Sequence, residues 1–361
     1  EPVKSFGTEE QKREYLPRCA AGAISAFLLT ENDVGSDPAR LGTTARLSDD
    51  GTHYLLDGAK LWTTNGVVAE LLVVMAAVQP HEAAGEEPAG RGGITAFIVE
   101  ADTEGIVVEN RNQFMGLRGI ENGVTRFREV RVPVANRLGK EGSGLKIALS
   151  TLNTGRLSIP AMCAGAGKWS TKIAREWSAA RVQWGKPVGK HQAVAGKLAY
   201  IAASSYALEA VFEVSARLAD AGTKDIRIEA ALAKLWASEV ACTIADELLQ
   251  IRGGRGFETA RSQAARGERA VPVEQLLRDL RINRIFEGST EIMHLLIARE
   301  AVDTHLQAAG DLARAGASME EKARAAASAS GFYARWLPKL AVGAGSVPTS
   351  YSGHGPLAKH L

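Results

Sequence analysis

Cysteine is scarce, and its scarcity excludes two kinds of scaffold. Among 361 residues only Cys19, Cys163 and Cys242 occur, far apart and without a CxxC pair. An odd, scattered set excludes a disulfide framework and a cysteine zinc site, so no metal is expected. It also points to a reducing compartment, bacterial cytoplasm or a space such as the mitochondrial matrix, and not to secretion. Charge of one sign is missing too. Lys and Arg number 43 against 41 Asp and Glu, interspersed, so no basic field offers itself to nucleic acid. No apolar run approaches the ~20 residues of a membrane span, and no signal-peptide pattern opens the chain. Past residue 305 no strongly basic amphipathic helix marks a membrane contact, which leaves that contact undecided.

A nucleotide-binding loop is absent as well. "GKEGSGLK" (139–146) and "CAGAGKWS" (163–170) are glycine-rich, but in the second Met162 stands at the first Gly position of a phosphate loop and Trp169 at its hydroxyl position. Neither follows a strand within a βαβ unit, so a Rossmann reading fails.

Two grammars are present. From residue 24 to about 133, short apolar or alternating runs predict strands: "SAFLLT", "TTARLS", "HYLLD", "KLWTT", "LLVVMAAV", "ITAFIVE" and "VTRFREVRV". Turn signals stand at Asp50-Gly51, Asp57-Gly58 and Asn65-Gly66, and "QPHEAAGEEPAGRGG" (79–93) reads as a surface loop. From about 143 the segments become long, rich in Ala and Leu, and apolar at helical spacing. Breakers at Gly185-Lys186-Pro187, Gly222 and "RGGRG" (252–256) divide them into an antiparallel bundle, with a kink or break expected at Pro160. Strands precede helices without alternating with them, so the class is α+β and multi-domain. The expected boundaries are a helical remnant at 1–23, a middle β-domain at 24–135, a bundle at 136–308 and an extension at 309–361, one more helix and then a Gly/Ser/Pro tail. The opening "EPVKSFGTEEQKREYLPRCAAG" reads as the end of a helical segment whose upstream part is absent.

Several stretches could carry chemistry, each with a plainer structural role beside it. "FLLTENDVGSD" (27–37) ends a strand in a loop of hydroxyls and backbone N–H groups able to grip a polar edge, or is an ordinary turn. Trp62 in "GAKLWTTNG" can stack on a planar ring while Thr63 and Thr64 bond its edge, or fill the core. Arg181, Gln183, Trp184, His191 and Gln192 cluster in "RVQWGKPVGKHQ" and suit a diphosphate and an adenine. Gly253 and Gly254 in "QIRGGRGF" read first as a helix C-cap. In "RIFEGSTEIM" (284–293), Glu287 stands alone before a helix that Ser289 or Thr290 can cap, with Glu291 in its first turn. The positive helix end lowers the Glu287 pKa, and burial against Ile285 and Phe286 raises it.

From about residue 5 to 301 these segments, in this order, resemble the acyl-CoA dehydrogenase family. "LTENDVGSD", "GAKLWTTNG", "GRLSIPAMCAGAG", "RVQWGKPVGKHQAVAGKLA", "QIRGGRGF" and "RDLRINRIFEGSTEI" carry the likeness, and "TLNTGR" with "IEAALAKLWASE" is most similar to the very-long-chain branch. The resemblance implies a middle antiparallel β-domain followed by a C-terminal four-helix bundle, with FAD as cofactor. It assigns Phe27, Leu29, Thr30, Gly35, Ser36 and Trp62-Thr63-Thr64 to the flavin ring and ribityl end. It assigns Arg181, Gln183, Trp184, His191, Gln192, Gln250, Gly253 and Gly254 to the ADP half, largely of a neighbouring subunit's FAD, hence a homodimer or homotetramer. Ser289, Thr290 and Glu291 return to the first flavin. Glu287 becomes the base that removes the α-proton of a fatty acyl-CoA in β-oxidation, with flavin as hydride acceptor and electron-transferring flavoprotein as partner. Ser36, Asn153, Arg156, Phe286 and Gly288 fall to the substrate. Some members carry the base one residue before the Arg of the "GR" motif, where this chain has Gly155. "ENDVGSD" departs from the commoner "EPGAGSD", and Ser289 from the commoner Thr. An acyl-CoA oxidase of the same fold and a non-enzymatic assembly scaffold remain alternatives; a nitroalkane oxidase would want Asp at 287.

Overall fold

Thr8 opens the first well-capped helix. Its hydroxyl accepts from the Gln11 N–H while the Gln11 side chain accepts from the Thr8 N–H, so two orphan donors are satisfied reciprocally. The polar opening stretch forms α1 (Pro2–Phe6) and α2 (Glu9–Ala20). The Gln11 amide also donates to the carbonyls of Ala135 and Arg137 at 2.8 and 2.9 Å, and Arg18 grips Glu100 at 2.7 and 2.8 Å, which pins α2 onto the following sheet. The computed structural model describes residues 1–222 and 226–342, which fall in two compact units divided between His294 and Leu295.

The sheet of the first unit contains β1 (Ser25–Leu28), β2 (Thr44–Leu47), β3 (His53–Thr64), β4 (Leu71–Val78), β5 (Gly93–Glu100), β6 (Ile106–Arg111), β7 (Asn122–Pro133) and β8 (Arg137–Leu138). Its order is β6-β7-β3-β2-β4-β5-β8, with β1 beside β4. Pairings are antiparallel except that β4 runs parallel to both β1 and β2. "LLVVMAAV" is apolar throughout because β4 is covered twice. Leu72, Val74, Ala76 and Val78 pack with Tyr54, Phe97 and Phe127, while Leu71, Val73 and Met75 pack with Tyr15, Ile98 and Ile147.

The turn expected at Asp57-Gly58 does not form. β3 runs through it with a bulge, Leu56 pairing with Val130 and Gly58 with Phe127. Gly58 sits at φ 149°, where a Cβ would lie 2.5 Å from Thr43 Oγ1, so this glycine permits close strand approach instead of reversal. The edge strand β6 had no counterpart among the expected strands.

The helical part consists of α3 (Gly144–Ala180), α4 (Gln192–Ala221), α5 (Arg227–Arg252), α6 (Gly254–Phe257), α7 (Ala260–Ala265) and α8 (Val273–Leu280). The three long helices pack on one another, and α8 lies against α5. Pro160 does not break α3, which runs unbroken for 37 residues. Pro160, Ile159, Cys163 and Ala164 are all buried, and packing there offsets the hydrogen bond the proline removes. Gly222 (φ 59°) ends α4 and Gly253 (φ 60°) ends α5, the latter donating to the Leu249 carbonyl.

From Leu295 the second unit holds the remainder of α9 (Thr290–Ala313) and then α10 (Met319–Val342). His305 sits among Phe332, Tyr333 and Trp336, its Nδ1 3.1 Å from the Tyr333 hydroxyl. The tail expected after this helix lies outside the described residues. Among the described residues no helix is long and apolar enough to cross a membrane.

Candidate active site

A short turn after α8 carries Glu287 at φ 57° and Gly288 at φ 94°. Left-handed backbone at a glutamate costs about 1–3 kcal/mol and persists only where its surroundings enforce it. The carboxylate lies against α3, where a Cβ added to Gly155 would stand 2.9 Å from Oε1, 3.0 Å from Cδ and 3.1 Å from Oε2. Oε2 is buried without a hydrogen-bond partner. Burial therefore lifts the Glu287 pKa above the ordinary carboxylate value, with Arg156 and Lys234 opposing. Burial raises this pKa, as the sequence predicts, although Ile285 and Phe286 are themselves 54% and 36% exposed; the charges opposing it are those of two cations.

Both cations are themselves buried. Arg156 (8% exposed) donates Nε–H to the Glu287 carbonyl at 3.2 Å and a second N–H to Asn153 Oδ1 at 2.9 Å. Lys234 (0% exposed) donates to the Gly288 carbonyl at 2.5 Å. Burial pushes its pKa down to about 8, with Arg156 adding to the effect and Glu287 opposing it. Beyond the turn, Ser289 provides the cap, its hydroxyl accepting from the Ile292 N–H at 3.4 Å. Thr290 instead donates to Glu239, which also accepts from Arg284 at 2.8 Å. Glu291 is exposed in the first turn of α9.

The two β-domain motifs are bound to each other. Lys60 Nζ donates to Glu31 Oε1 at 2.6 Å, and that carboxylate also accepts the N–H groups of Gly42 and Thr43 at 2.6 and 3.0 Å. The Leu61 N–H donates to the Thr30 carbonyl at 2.9 Å. Phe27 and Leu29 pack toward the helix-covered face of the sheet, whereas Gly35 and Ser36 are exposed. Trp62, at φ 57°, is 57% exposed, which removes its core reading; Thr63 is buried and Thr64 exposed.

A third group forms a cleft of about 780 Å³. Arg181, Gln183, Trp184, Gly253 and Gly254 line it, together with Trp177, Arg252 and Arg255. His191 meets Trp184 edge-on at 5.6 Å and places Nε2 3.1 Å from the Gln183 carbonyl. Gln192 and Gln250 are exposed outside the lining, Gln250 contributing its carbonyl to the Gly253 cap. No β-domain residue lines the cleft.

Lys234, Arg252 and the Glu31–Lys60 pair escaped the sequence reading. Each left the same signal, a charge where the pattern predicts burial. Lys234 shares the helical stripe of Ala230, Ala237 and Ala241, all buried. Arg252 stacks over Trp177 at 4.8 Å, and its Nε is buried without a partner.

Comparison with known proteins bears on both halves. The profile "Acyl-CoA dehydrogenase, middle domain" matches residues 26–130, and "Acyl-CoA dehydrogenase, C-terminal domain" matches 142–302. A probable acyl-CoA dehydrogenase, FadE10 of Mycobacterium tuberculosis, is 69% identical over all of this chain, which spans 55% of that relative's length. The mitochondrial very long-chain specific acyl-CoA dehydrogenase of Bos taurus is 38% identical over 81% of this chain and 43% of its own. Among solved structures, butyryl-CoA dehydrogenase from Megasphaera elsdenii aligns with a TM-score of 0.74 and 34% identity, over 83% of this chain and 74% of that one. Acyl-CoA dehydrogenase complexed with FAD from Bacillus anthracis aligns with a TM-score of 0.75 and 33% identity, over 85% and 53%.

Proposed function

The chain belongs to the acyl-CoA dehydrogenase family, and we propose that it dehydrogenates a long-chain fatty acyl-CoA to the trans-2-enoyl-CoA, a step of β-oxidation, with FAD as cofactor and Glu287 as base. One observation carries the reading: the partnerless, buried Oε2 of Glu287 in a turn held by two cations. A hydrogen-bonded carboxylate is a weaker base. This oxygen is left to accept a proton, and burial brings its pKa toward the working range. The α-proton of the thioester passes to Glu287 Oε2. Arg156 and Asn153 order the turn from which that base acts. The preference for a long acyl chain is supported by the "TLNTGR" likeness.

The cleft tests whether the residues fit FAD. Arg252 offers an unpartnered donor, Arg181 a second cation, and Gly253 and Gly254 have open space where side chains would project. That donor set suits a diphosphate. Arg181, Gln183, Trp184, His191, Gln192 and residues 250–254 would hold the ADP half, largely of a neighbouring subunit's FAD, in a homodimer or homotetramer. Phe27, Leu29, Thr30, Gly35, Ser36 and Trp62-Thr63-Thr64, with Ser289, Thr290 and Glu291, would hold the flavin end. Bound FAD would supply the hydride acceptor for the β-hydrogen, and the proposed electron acceptor is electron-transferring flavoprotein.

Anaerobic titration with palmitoyl-CoA tests the proposal. The full chain should lose its flavin band, and Glu287→Gln should keep flavin without bleaching. A yellow protein that no fatty acyl-CoA bleaches would remove the substrate class, and a chain that cannot be loaded with FAD would remove the reading.

A further inference from the structure

Lys234 is a charge on an alanine-lined stripe of α5, fully buried between Ala230 and Ala237 on the helical face. An ammonium is strongly disfavoured there unless paired and hydrogen-bonded, and the packing alone would accept Met or Leu. Its hydrogen bond goes to the Gly288 carbonyl at 2.5 Å. From the neighbouring helix α3, Arg156 holds the Glu287 carbonyl at 3.2 Å. Two consecutive left-handed residues thus have their carbonyls fixed by buried cations from two different helices. Strained backbone of this kind survives only when the surroundings over-determine it.

We propose that Lys234 is a positioning residue for the base: by holding the Gly288 carbonyl it keeps the Glu287 carboxylate against Gly155, and it supplies one of the two positive charges beside that carboxylate. The inference rests on Glu287 being the base. Arg156 from α3 and Lys234 from α5 are the charges acting on Glu287, while Cys163 and Glu239 act in turn on Lys234. Because Lys234 favours the ionised carboxylate, its removal should move the Glu287 titration upward.

Two variants of the full, FAD-loaded chain separate the bond from the charge. Lys234→Met keeps length and apolar packing but loses both; Lys234→Gln keeps a donor without charge. The first readout is infrared: the Glu287 carboxyl band, isolated by subtracting the matching Glu287→Gln protein, followed against pH without substrate. The second is the anaerobic bleaching rate at saturating palmitoyl-CoA. Lys234→Met should raise the Glu287 midpoint and carry the pH profile of bleaching upward with it, slowing bleaching by about tenfold per unit of that rise at pH values below both midpoints, with little change in half-saturation. Lys234→Gln should keep the raised midpoint and recover part of the rate. If Lys234→Met fails to fold, the Gln protein decides by its midpoint. An unmoved midpoint in a variant with parental thermal stability overturns the proposal. A parent chain that no acyl-CoA bleaches would sink the dehydrogenase reading, yet the infrared midpoint would still decide whether Lys234 governs Glu287.

Discussion

Replacing Gly155 by alanine should separate stability from chemistry. Gly155 lies inside α3 without a left-handed backbone, so alanine there gains about 0.5–1 kcal/mol of helix propensity. The added methyl would stand 2.9 Å from Glu287 Oε1 and 3.0 Å from its Cδ, against an ordinary contact of about 3.5 Å. The carboxylate must therefore withdraw by about half an ångström. It is the far end of a flexible side chain, so it can yield while both backbones stay in place. Proton transfer tolerates such a shift poorly: about 1 Å of misplacement costs about a hundredfold, which puts half of that near tenfold. Thermal unfolding and single-turnover bleaching with palmitoyl-CoA read the two effects on one sample. The expected result is an unchanged or slightly raised unfolding temperature with bleaching about tenfold slower. Bleaching at the parental rate would refute the idea that Gly155 makes room for the base. A collapse in stability would show that something less yielding than Glu287 occupies the space.

Two further predictions concern buried charge. The Glu287 pKa is raised in the fold from an unfolded value of 4.5; its favourable contribution is complete below that value and lost as pH rises through the folded one. Urea unfolding should accordingly find Glu287→Gln more stable than the parent at pH 8, with the gap closing toward pH 4; a gap that widens on acidification would contradict the sign. In the β-domain, Glu31→Gln leaves Lys60 buried without its carboxylate, at a cost of about 3–5 kcal/mol. Adding Lys60→Met should recover much of the loss in denaturant midpoint, and simple additivity of the two changes would deny the coupling.

The fold was legible where burial imposes one pattern. β4 announced itself because both of its faces are covered, and Gly222 and Gly253 ended helices as their left-handed preference dictates. Asp57-Gly58 misled because one dipeptide serves both a hairpin turn and a strand bulge, and only the partner strand decides between them. Pro160 misled for a related reason: the cost of a missing hydrogen bond is local, whereas the packing that offsets it comes from two other helices. β6 is an exposed edge whose valines alternate toward no core, so periodicity had nothing to register.

The site divides along the same line. Glu287 and its Ser289 cap sit within one short motif, so their proximity is written in the sequence. The bonds that hold the turn span 54 residues to Lys234 and 131 to Arg156, beyond any local pattern. A lysine on a buried stripe does signal that a partner exists, and Lys60 and Lys234 send the same signal, since burial pushes both pKa values down and each holds a hydrogen-bond acceptor. Their partners differ in a way the sequence hides. Glu31 meets Lys60 and two backbone donors, so its charge is fully engaged and ties two loops together. Lys234 spends its hydrogen bond on a carbonyl and reaches Glu287 only through space, which leaves Oε2 unpartnered. A direct salt bridge at that point would have steadied the carboxylate and blunted it as a base. Holding the backbone instead fixes the acid while leaving its oxygen able to take a proton.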